Sequence, residues 1–338
     1  MARSLLLGLA GALLMLAGTA FAADIPEACN SRTAAVTGGP MPPPESDIVL
    51  IRWLGNANFE FAYKGKVYLF DAYFDRTPRS HNIGFAAKDV IKAEGIFVSH
   101  AHFDHIADIG PVARQTGARV VGAPITIETA RKLGAPEKQL VVAKGGESMK
   151  FGDATLEVAL AQHSSIQPGL TDIYASLYRN DSPAYSDEEK KEQARVVALG
   201  TFDPKVITEG TLAYALVLPS GFKAVLIGSS GPITPGVRAL AEKLGPVDVV
   251  IVAYQVHAVA ATQIAYTWPF IELFKPKLFL PAHHDAAPPT WVDLGVEPIF
   301  DKIRADMPGT AFVAPLYRSP ICIAGAGPDK GKVVSFRY

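Results

Sequence analysis

The sequence predicts an α/β fold in which two mixed β-sheets pack face to face, with helices on the outer faces. Two observations predict it. Short runs of β-branched and aromatic residues fall into two groups along the chain, and helical periodicity alternates with the strands in each group. Because a sheet buries its apolar face against another layer, the two groups are expected to enclose one core.

The first group begins with three strands, the second and third of which are joined by a hairpin at Lys64-Gly65. Helices are predicted at 87–94 and near 125–133. The strands of this group are predicted at residues 47–53, 58–63, 66–71, 96–99, 119–122, 140–143, 148–151 and 155–162.

The second group begins after an insertion, 168–210, that has little strand character. Within it, Ser186-Asp187-Glu188-Glu189 is a capping box that predicts a charged helix through about Leu199. A long insertion between strands is also where lids and binding loops occur. Strands are then predicted at 211–218, 222–227, 247–253 and 277–281, with helices at 237–244 and 260–274.

Residues 1–22 have the pattern of a cleavable signal peptide. Arg3 precedes a leucine-rich stretch that ends in Ala20-Phe21-Ala22, so cleavage is expected after Ala22. An uncleaved anchor helix is the alternative. The expectation is a periplasmic or secreted protein with no stable membrane anchor after cleavage.

Residues 23–46 are rich in proline, glycine and alanine and are predicted to form an extended arm before a single domain at 47–338. The two cysteines, Cys29 and Cys322, are expected to form a structural disulfide, because thiols pair in oxidising compartments. This bond would attach the arm to the C-terminal strands.

Composition excludes several classes of protein. The 338 residues carry a formal net charge of −1, which gives no electrostatic footprint for nucleic acid. A hydrophobic share of 49% excludes a disordered chain. The expected partner is a small-molecule or lipid-like substrate, and a homo-oligomer is left open.

The strongest chemical signal is Ser99-His100-Ala101-His102-Phe103-Asp104-His105, directly after a predicted buried strand. Four side chains that ligate metals fall within six residues at a strand end, where a loop can fold around one point. Zinc is held by three or four such groups, and one loop can supply several of them.

At this motif the chain resembles the metallo-β-lactamase superfamily, whose hallmark is His-x-His-x-Asp-His after a buried strand. The segments Arg52-Trp53-Leu54-Gly55-Asn56-Ala57 and Leu69-Phe70-Asp71 resemble the branch of ascorbate-phosphate lactonases and phospholipase-D-like phosphodiesterases. The resemblance implies an αββα sandwich, the metallo-β-lactamase fold, with the metal site at one edge of both sheets. It implies a metal-dependent hydrolase but gives little information about substrate.

The resemblance also implies a ligand set. His100, His102 and His163 would bind a first metal ion; Asp104, His105 and His283 would bind a second. His283 is preferred to His284 because adjacent residues at a strand end point to opposite faces. Asp71 corresponds to an aspartate that orients ligating histidines from behind. Zn²⁺, as one or two ions, is the expected cofactor, with other divalent metals left open.

One position departs from the family pattern. The family carries an aspartate that bridges both metals after a hairpin strand, and here Ser229 stands in Ile227-Gly228-Ser229-Ser230-Gly231. A serine hydroxyl is neutral and a poor ligand, so the second metal should bind more weakly unless another residue compensates. The candidates for compensation are His257, His284 and Asp285.

Two functions remain open. In the first, one or two metal ions activate water to cleave an ester, lactone or phosphodiester, while Asp104 and His105 orient the nucleophile. Ser229 or Ser230 would then hydrogen-bond water or substrate. In the second, motivated by the missing bridging aspartate, the chain is a secreted metal-binding or ligand-binding protein with little or no turnover.

Overall fold

The computed structural model describes residues 25–164, 185–254, 260–285 and 295–336. The predicted signal peptide, His257 and part of the predicted insertion lie outside the described residues. Among the helices in these ranges, none combines the length and the apolar character needed to cross a bilayer.

The first sheet has eight strands within the described ranges, in the spatial order β15-β14-β1-β2-β3-β4-β5-β6. Its strands are β1 (Ile48–Trp53), β2 (Phe59–Tyr63), β3 (Lys66–Phe70), β4 (Gly95–Phe97), β5 (Arg119–Gly122), β6 (Leu140–Val142), β14 (Ile321–Ala324) and β15 (Val333–Phe336). Antiparallel pairing from β15 to β3 changes to parallel pairing from β3 to β6.

The second sheet has seven strands in the same part of the chain, in the order β13-β12-β11-β10-β9-β8-β7. Its strands are β7 (Ser148–Phe151), β8 (Ala154–Leu160), β9 (Leu212–Val217), β10 (Lys223–Ile227), β11 (Val249–Ala253), β12 (Leu278–Ala282) and β13 (Ala311–Phe312). This sheet is also mixed, because β7 to β10 pair antiparallel and β10 to β13 pair parallel.

The central core lies between the two sheets. Alternate residues of β1, Val49, Ile51 and Trp53, face this core, where they join Leu226 of β10 and Ile251 of β11 in one cluster. The sheets are also linked by hydrogen bonds, since the hydroxyl of Tyr214 donates to the carbonyl oxygens of Val98 (2.8 Å) and Val121 (3.2 Å).

Helices cover the outer faces, as predicted. The outer core of the first sheet contains Val112 and Ile127, and that of the second contains Leu240, Ile271 and Phe300. The described helices are α1 (Phe103–Ile106), α2 (Ile109–Thr116), α3 (Pro124–Lys132), α4 (Asp187–Val197), α5 (Lys205–Thr208), α6 (Pro235–Leu244), α7 (Ala260–Phe274) and α8 (Glu297–Asp306). The predicted fold class, two mixed sheets with helices outside, is confirmed.

The helix predicted at 87–94 is wrong. Only a 3₁₀ turn, Ala87–Asp89, forms there, and Val90 is extended with ψ of 101°. The amide groups of Ile91 and Lys92 donate to the carbonyl oxygen of Val36 in the N-terminal arm, so they are not available to a helix. A tertiary contact therefore overrides the local periodicity.

The arm is not the featureless extended segment that its composition predicts. It contains two 3₁₀ turns, Glu27–Cys29 and Ala35–Thr37, and much of it is buried. The bridge between Cys29 and Cys322 ties the first turn to β14.

A buried ion pair explains why the arm packs so closely. Arg52 of β1 and Glu60 of β2 are both fully buried and lie 2.5 Å apart. The Glu60 carboxylate accepts from the amides of Ala35 and Val36 at 3.0 Å each. Arg52 donates to the carbonyl oxygens of Ala28 (2.9 Å) and Ser31 (3.0 Å). The pair thus supplies hydrogen-bonding partners for the main chain of the arm.

We expect Glu60→Gln to lower the free energy of unfolding by about 3–5 kcal/mol, because it leaves the Arg52 charge buried without its counter-ion. Urea unfolding followed by circular dichroism measures the change. The matched control is Glu137→Gln, which breaks an arginine–carboxylate pair with Arg131 of similar length, 2.6 Å, but exposed to solvent. An equal effect of the two substitutions would contradict this account of the arm.

Candidate metal centre

The predicted ligand loop follows β4 and leads into the short helix α1. His100 lies in the loop, His102 directly precedes α1, and Asp104 and His105 lie in its first turn, where the amide of His105 donates to the carbonyl of His102 (3.0 Å). The loop lies at the edge where the parallel strands of both sheets end, which is where ligands bind in open α/β sheets.

Three histidines form the first group. The ring nitrogens of His100, His102 and His163 offer one ligand atom each, and these atoms all lie within 4.8 Å of one another. His163 reaches the group from the segment after β8. Its Nδ1 lies 2.6 Å from the carbonyl oxygen of Ser164, and its Nε2 is buried without a hydrogen-bond partner in the described structure. A buried imidazole nitrogen without a hydrogen-bond partner is explained if it is a ligand of a metal ion.

Asp104, His105 and His283 form the second group, whose ligand atoms also lie within 4.8 Å of one another. Asp104 Oδ2 is 3.1 Å from His283 Nε2 and 3.8 Å from His105 Nε2. His283 follows β12 directly, so the first sheet supplies two members of this group and the second sheet supplies one.

Asp71 supports the second group from behind. Its buried carboxylate accepts from the amide (2.6 Å) and the hydroxyl (3.0 Å) of Ser99, and lies 2.7 Å from His105 Nδ1. A carboxylate on Nδ1 fixes the tautomer of a histidine and directs its Nε2 toward a metal. The backbone of Asp71 has a φ of +60°, a left-handed conformation that aspartate tolerates better than most residues.

The electrostatics of the first group favour neutral imidazoles. Burial and the neighbouring histidines lower the pKa of His102 to about 3, and burial lowers that of His163 to about 4. The same causes hold the pKa of His100 well below its ordinary value. Neutral imidazole is the form that ligates metals, so these residues are ready to bind at neutral pH.

The second group is charged differently. Burial would raise the pKa of Asp104, but His105 and His283 outweigh it and lower that pKa below its usual range. Burial would lower the pKa of His105, but the carboxylates of Asp104 and Asp71 raise it. The group therefore offers an ionised carboxylate beside imidazoles, a donor set suited to zinc, iron or manganese.

A family model described as the β-lactamase superfamily domain matches residues 66–184. A protein of Chloroflexus aurantiacus named UPF0173 metal-dependent hydrolase is 27% identical over 242 residues, which cover 71% of this chain and 84% of that relative. A protein of Roseiflexus with the same name is 36% identical over 120 residues, and the match spans only 48% of its length.

Among solved structures, the metallo hydrolase Igni18 of Ignicoccus hospitalis has the same fold, with a TM-score of 0.57 and 15% identity. The likeness covers 82% of this chain and 98% of that one. Residues 66–184 are thus similar in sequence to the β-lactamase superfamily, and the described chain has the fold of a metallo hydrolase. The names of these relatives agree with the sequence-based prediction of a metal-dependent hydrolase with an unspecified substrate.

The turn after β10 packs against both segments that carry candidate ligands. A Cβ on Gly228 would lie 2.4 Å from Ser99, and one on Gly231 would lie 2.1 Å from the carbonyl oxygen of Gln162. Ser229 is buried, and its Oγ accepts from the amide of Ser164 (3.0 Å). Ser230 is buried too, and its Oγ has no hydrogen-bond partner in the described part of the chain.

Two of the three candidates for compensation, His284 and Asp285, belong to neither group. The ring of His284 stacks on Trp53, with centroids 4.3 Å apart. The Asp285 carboxylate forms an ion pair with Arg76 (2.8 Å) and accepts from the hydroxyl of Tyr317 (2.8 Å). His257 lies outside the described residues. The structure thus separates His283, which faces Asp104, from His284, which packs on an aromatic ring.

We expect Ser229→Asp to strengthen binding of the second metal about tenfold, because a carboxylate beside two cations offsets their repulsion. The measurement is zinc per chain, by elemental analysis, after dialysis at a zinc concentration that half-saturates the unmodified protein. Ser230→Asp is the matched control. If occupancy does not rise in Ser229→Asp, position 229 is not the bridging position.

Proposed function

We propose that this protein is an exported hydrolase that cleaves an ester, lactone or phosphodiester bond with the aid of one or two divalent metal ions, zinc being the proposed ion. The observation that carries the proposal is the pair of adjacent ligand groups, each with its ligand atoms within 4.8 Å of one another. Three imidazoles with an open fourth position are a typical donor set of catalytic zinc.

Each of the two ligand groups would hold one metal ion. His100, His102 and His163 would hold one ion, and Asp104, His105 and His283 would hold the other. When bound, such ions polarise the scissile group and lower the pKa of water. If only the first site is filled, the ionised carboxylate of Asp104 is left free to accept the proton of the attacking water.

Export is proposed from the pattern of residues 1–22 and is supported by the bridge between Cys29 and Cys322, since disulfides persist in oxidising compartments. A net charge of −1 favours a small or lipid-like substrate over nucleic acid.

An exposed aromatic ring beside the first group supports a substrate with an apolar part. Phe202 is 61% exposed, and its ring centroid lies 4.9 Å from that of His102. On another side of the group, the carbonyl oxygen of Ile207 accepts from the amide of His163 at 3.4 Å, and Ile207 is itself partly exposed. An exposed phenyl ring next to a polar centre is costly to solvate and can be covered by an acyl chain or an aromatic leaving group.

The function is tested by metal content and turnover together. We expect purified protein to contain zinc or another divalent ion and to hydrolyse at least one member of a panel of chromogenic esters, lactones and phosphodiesters. We expect His102→Ala and exhaustive chelation each to reduce the rate by about 100-fold or more, because loss of a ligand or of the metal should cost at least as much as loss of a residue that orients a ligand.

The competing function, a binding protein with little turnover, is favoured by the serine at position 229. Bound metal with no turnover across the panel would support it and exclude the hydrolase. A rate that His102→Ala leaves unchanged would show a contaminating activity. A chain without metal would contradict both functions.

We expect Phe202→Ala to raise KM about 5- to 30-fold for a 4-nitrophenyl ester with an eight-carbon acyl chain, the loss of one apolar contact of about 1–2 kcal/mol. The rate with the acetate ester should change little. Ile91→Ala is the matched control, because Ile91 is also exposed, at 59%, and contacts the N-terminal arm instead. Equal effects on both esters would contradict an acyl-binding role.

A further inference from the structure

Asn56 links the second ligand group to the loop between β1 and β2. It is 3% exposed, and its backbone has a φ of +52°, in the left-handed region. It belongs to the segment Arg52–Ala57, which resembles a branch motif, but the sequence gives no reason to assign it a role. The signal that identifies it is its hydrogen bonding.

Two of the three ligands in the second group are bonded to this one residue. Asn56 Nδ2 donates to the carbonyl oxygen of Asp104 (2.6 Å) and approaches Asp104 Oδ2 (3.4 Å). The carbonyl oxygen of Asn56 accepts from the amide of His283 (2.8 Å). The remaining ligand, His105, is held by Asp71. Asn56 therefore spans the gap between α1 of one sheet layer and the end of β12 in the other.

Asn56 is itself fixed from its far side. Its amide donates to both carboxylate oxygens of Asp285, at 3.0 and 3.1 Å. That carboxylate is held in turn by Arg76 and Tyr317. The carbonyl oxygen of Asn56 also accepts from Trp53 Nε1 (2.7 Å). A residue bonded on this many sides cannot shift without disturbing a buried ion pair, so it can serve as a rigid support.

We propose that Asn56 is a positioning residue for the second metal group, holding Asp104 and His283 at the spacing that a metal ion requires. The inference rests on the proposed function in that it takes the group to bind metal. In a chain with a neutral serine at position 229, the second site has one carboxylate ligand. Its geometry is then set by the residues that hold Asp104 and His283 in place.

The competing explanation is that Asn56 only satisfies a tight turn, because asparagine tolerates positive φ. Glycine tolerates it equally well. Asn56→Gly therefore preserves the turn and all the main-chain hydrogen bonds of this residue, to Asp285, Trp53 and His283, while deleting the side-chain amide that donates to Asp104. This makes the substitution selective for the proposed role.

The experiment titrates Co²⁺ into metal-free protein and follows heat and the visible absorption of the bound ion. Asn56→Gly is made in two backgrounds. His102→Ala disables the first group, and His283→Ala disables the second. We expect Asn56→Gly to weaken Co²⁺ binding about 10- to 100-fold in the His102→Ala background, a typical cost of losing a residue that orients a ligand. Binding in the His283→Ala background should not change.

The matched control is Lys275→Gly in the His102→Ala background. Lys275 is exposed and has a φ of +45°, so this variant reproduces the change of backbone freedom far from the ligands. It should leave Co²⁺ binding unaltered. Circular dichroism of the metal-free variants reports whether each chain is folded.

Equal weakening in both backgrounds, or none in the His102→Ala background, overturns the proposal. So does a metal-free Asn56→Gly chain that fails to fold, because Asn56 would then serve the fold. If the His102→Ala chain binds no Co²⁺ while the unmodified protein does, the second group is not a metal site. The inference about Asn56 then fails, but the proposed function does not. If the unmodified protein binds none, the proposed function fails as well.

Discussion

The buried carboxylate of Asp71 is the contact on which the ligand loop depends. Burial opposes ionisation and raises the pKa of this group, so it needs partners to remain a useful acceptor. Ser99 supplies an amide and a hydroxyl, and His105 supplies a ring nitrogen. One carboxylate thus joins the ends of β3 and β4 and orients a ligand. The loop His100–His105 is consequently held by the first sheet before any metal arrives.

The rest of the centre depends on contact between the sheets. His163 and His283 come from the second sheet, so neither group is complete unless that sheet packs correctly against the first. Tyr214 and Asn56 are two of the polar links across this boundary, one within the core and one at its edge. Neither sheet alone carries the full donor set, because four of the six candidate ligands follow a strand of the first sheet and two follow strands of the second.

The features of the site that depend on the spacing of nearby residues can be predicted from the sequence. Four candidate ligands lie in one heptapeptide, and the choice of His283 over His284 rests on the alternation of side chains at a strand end. Other features depend on distant partners. Ile91 and Lys92 do not form the predicted helix because their amides donate to the carbonyl oxygen of Val36. Asp285 is held by Arg76 and Tyr317. The role of Asn56 is hidden for the same reason, since Asp104 and His283 are distant in sequence.

The bridge between Cys29 and Cys322 has a consequence for the order of events during biogenesis. The two cysteines are 293 positions apart, so one is synthesised near the start of the chain and the other near its end. Oxidation of this pair must wait until Cys322, in β14, has been made. Until then Cys29 has no partner cysteine in its own chain, because the sequence holds only these two. A chain whose two cysteines are joined has therefore been synthesised at least as far as β14. A stalled or truncated chain that lacks Cys322 would be recognisable because its Cys29 still reacts with thiol reagents.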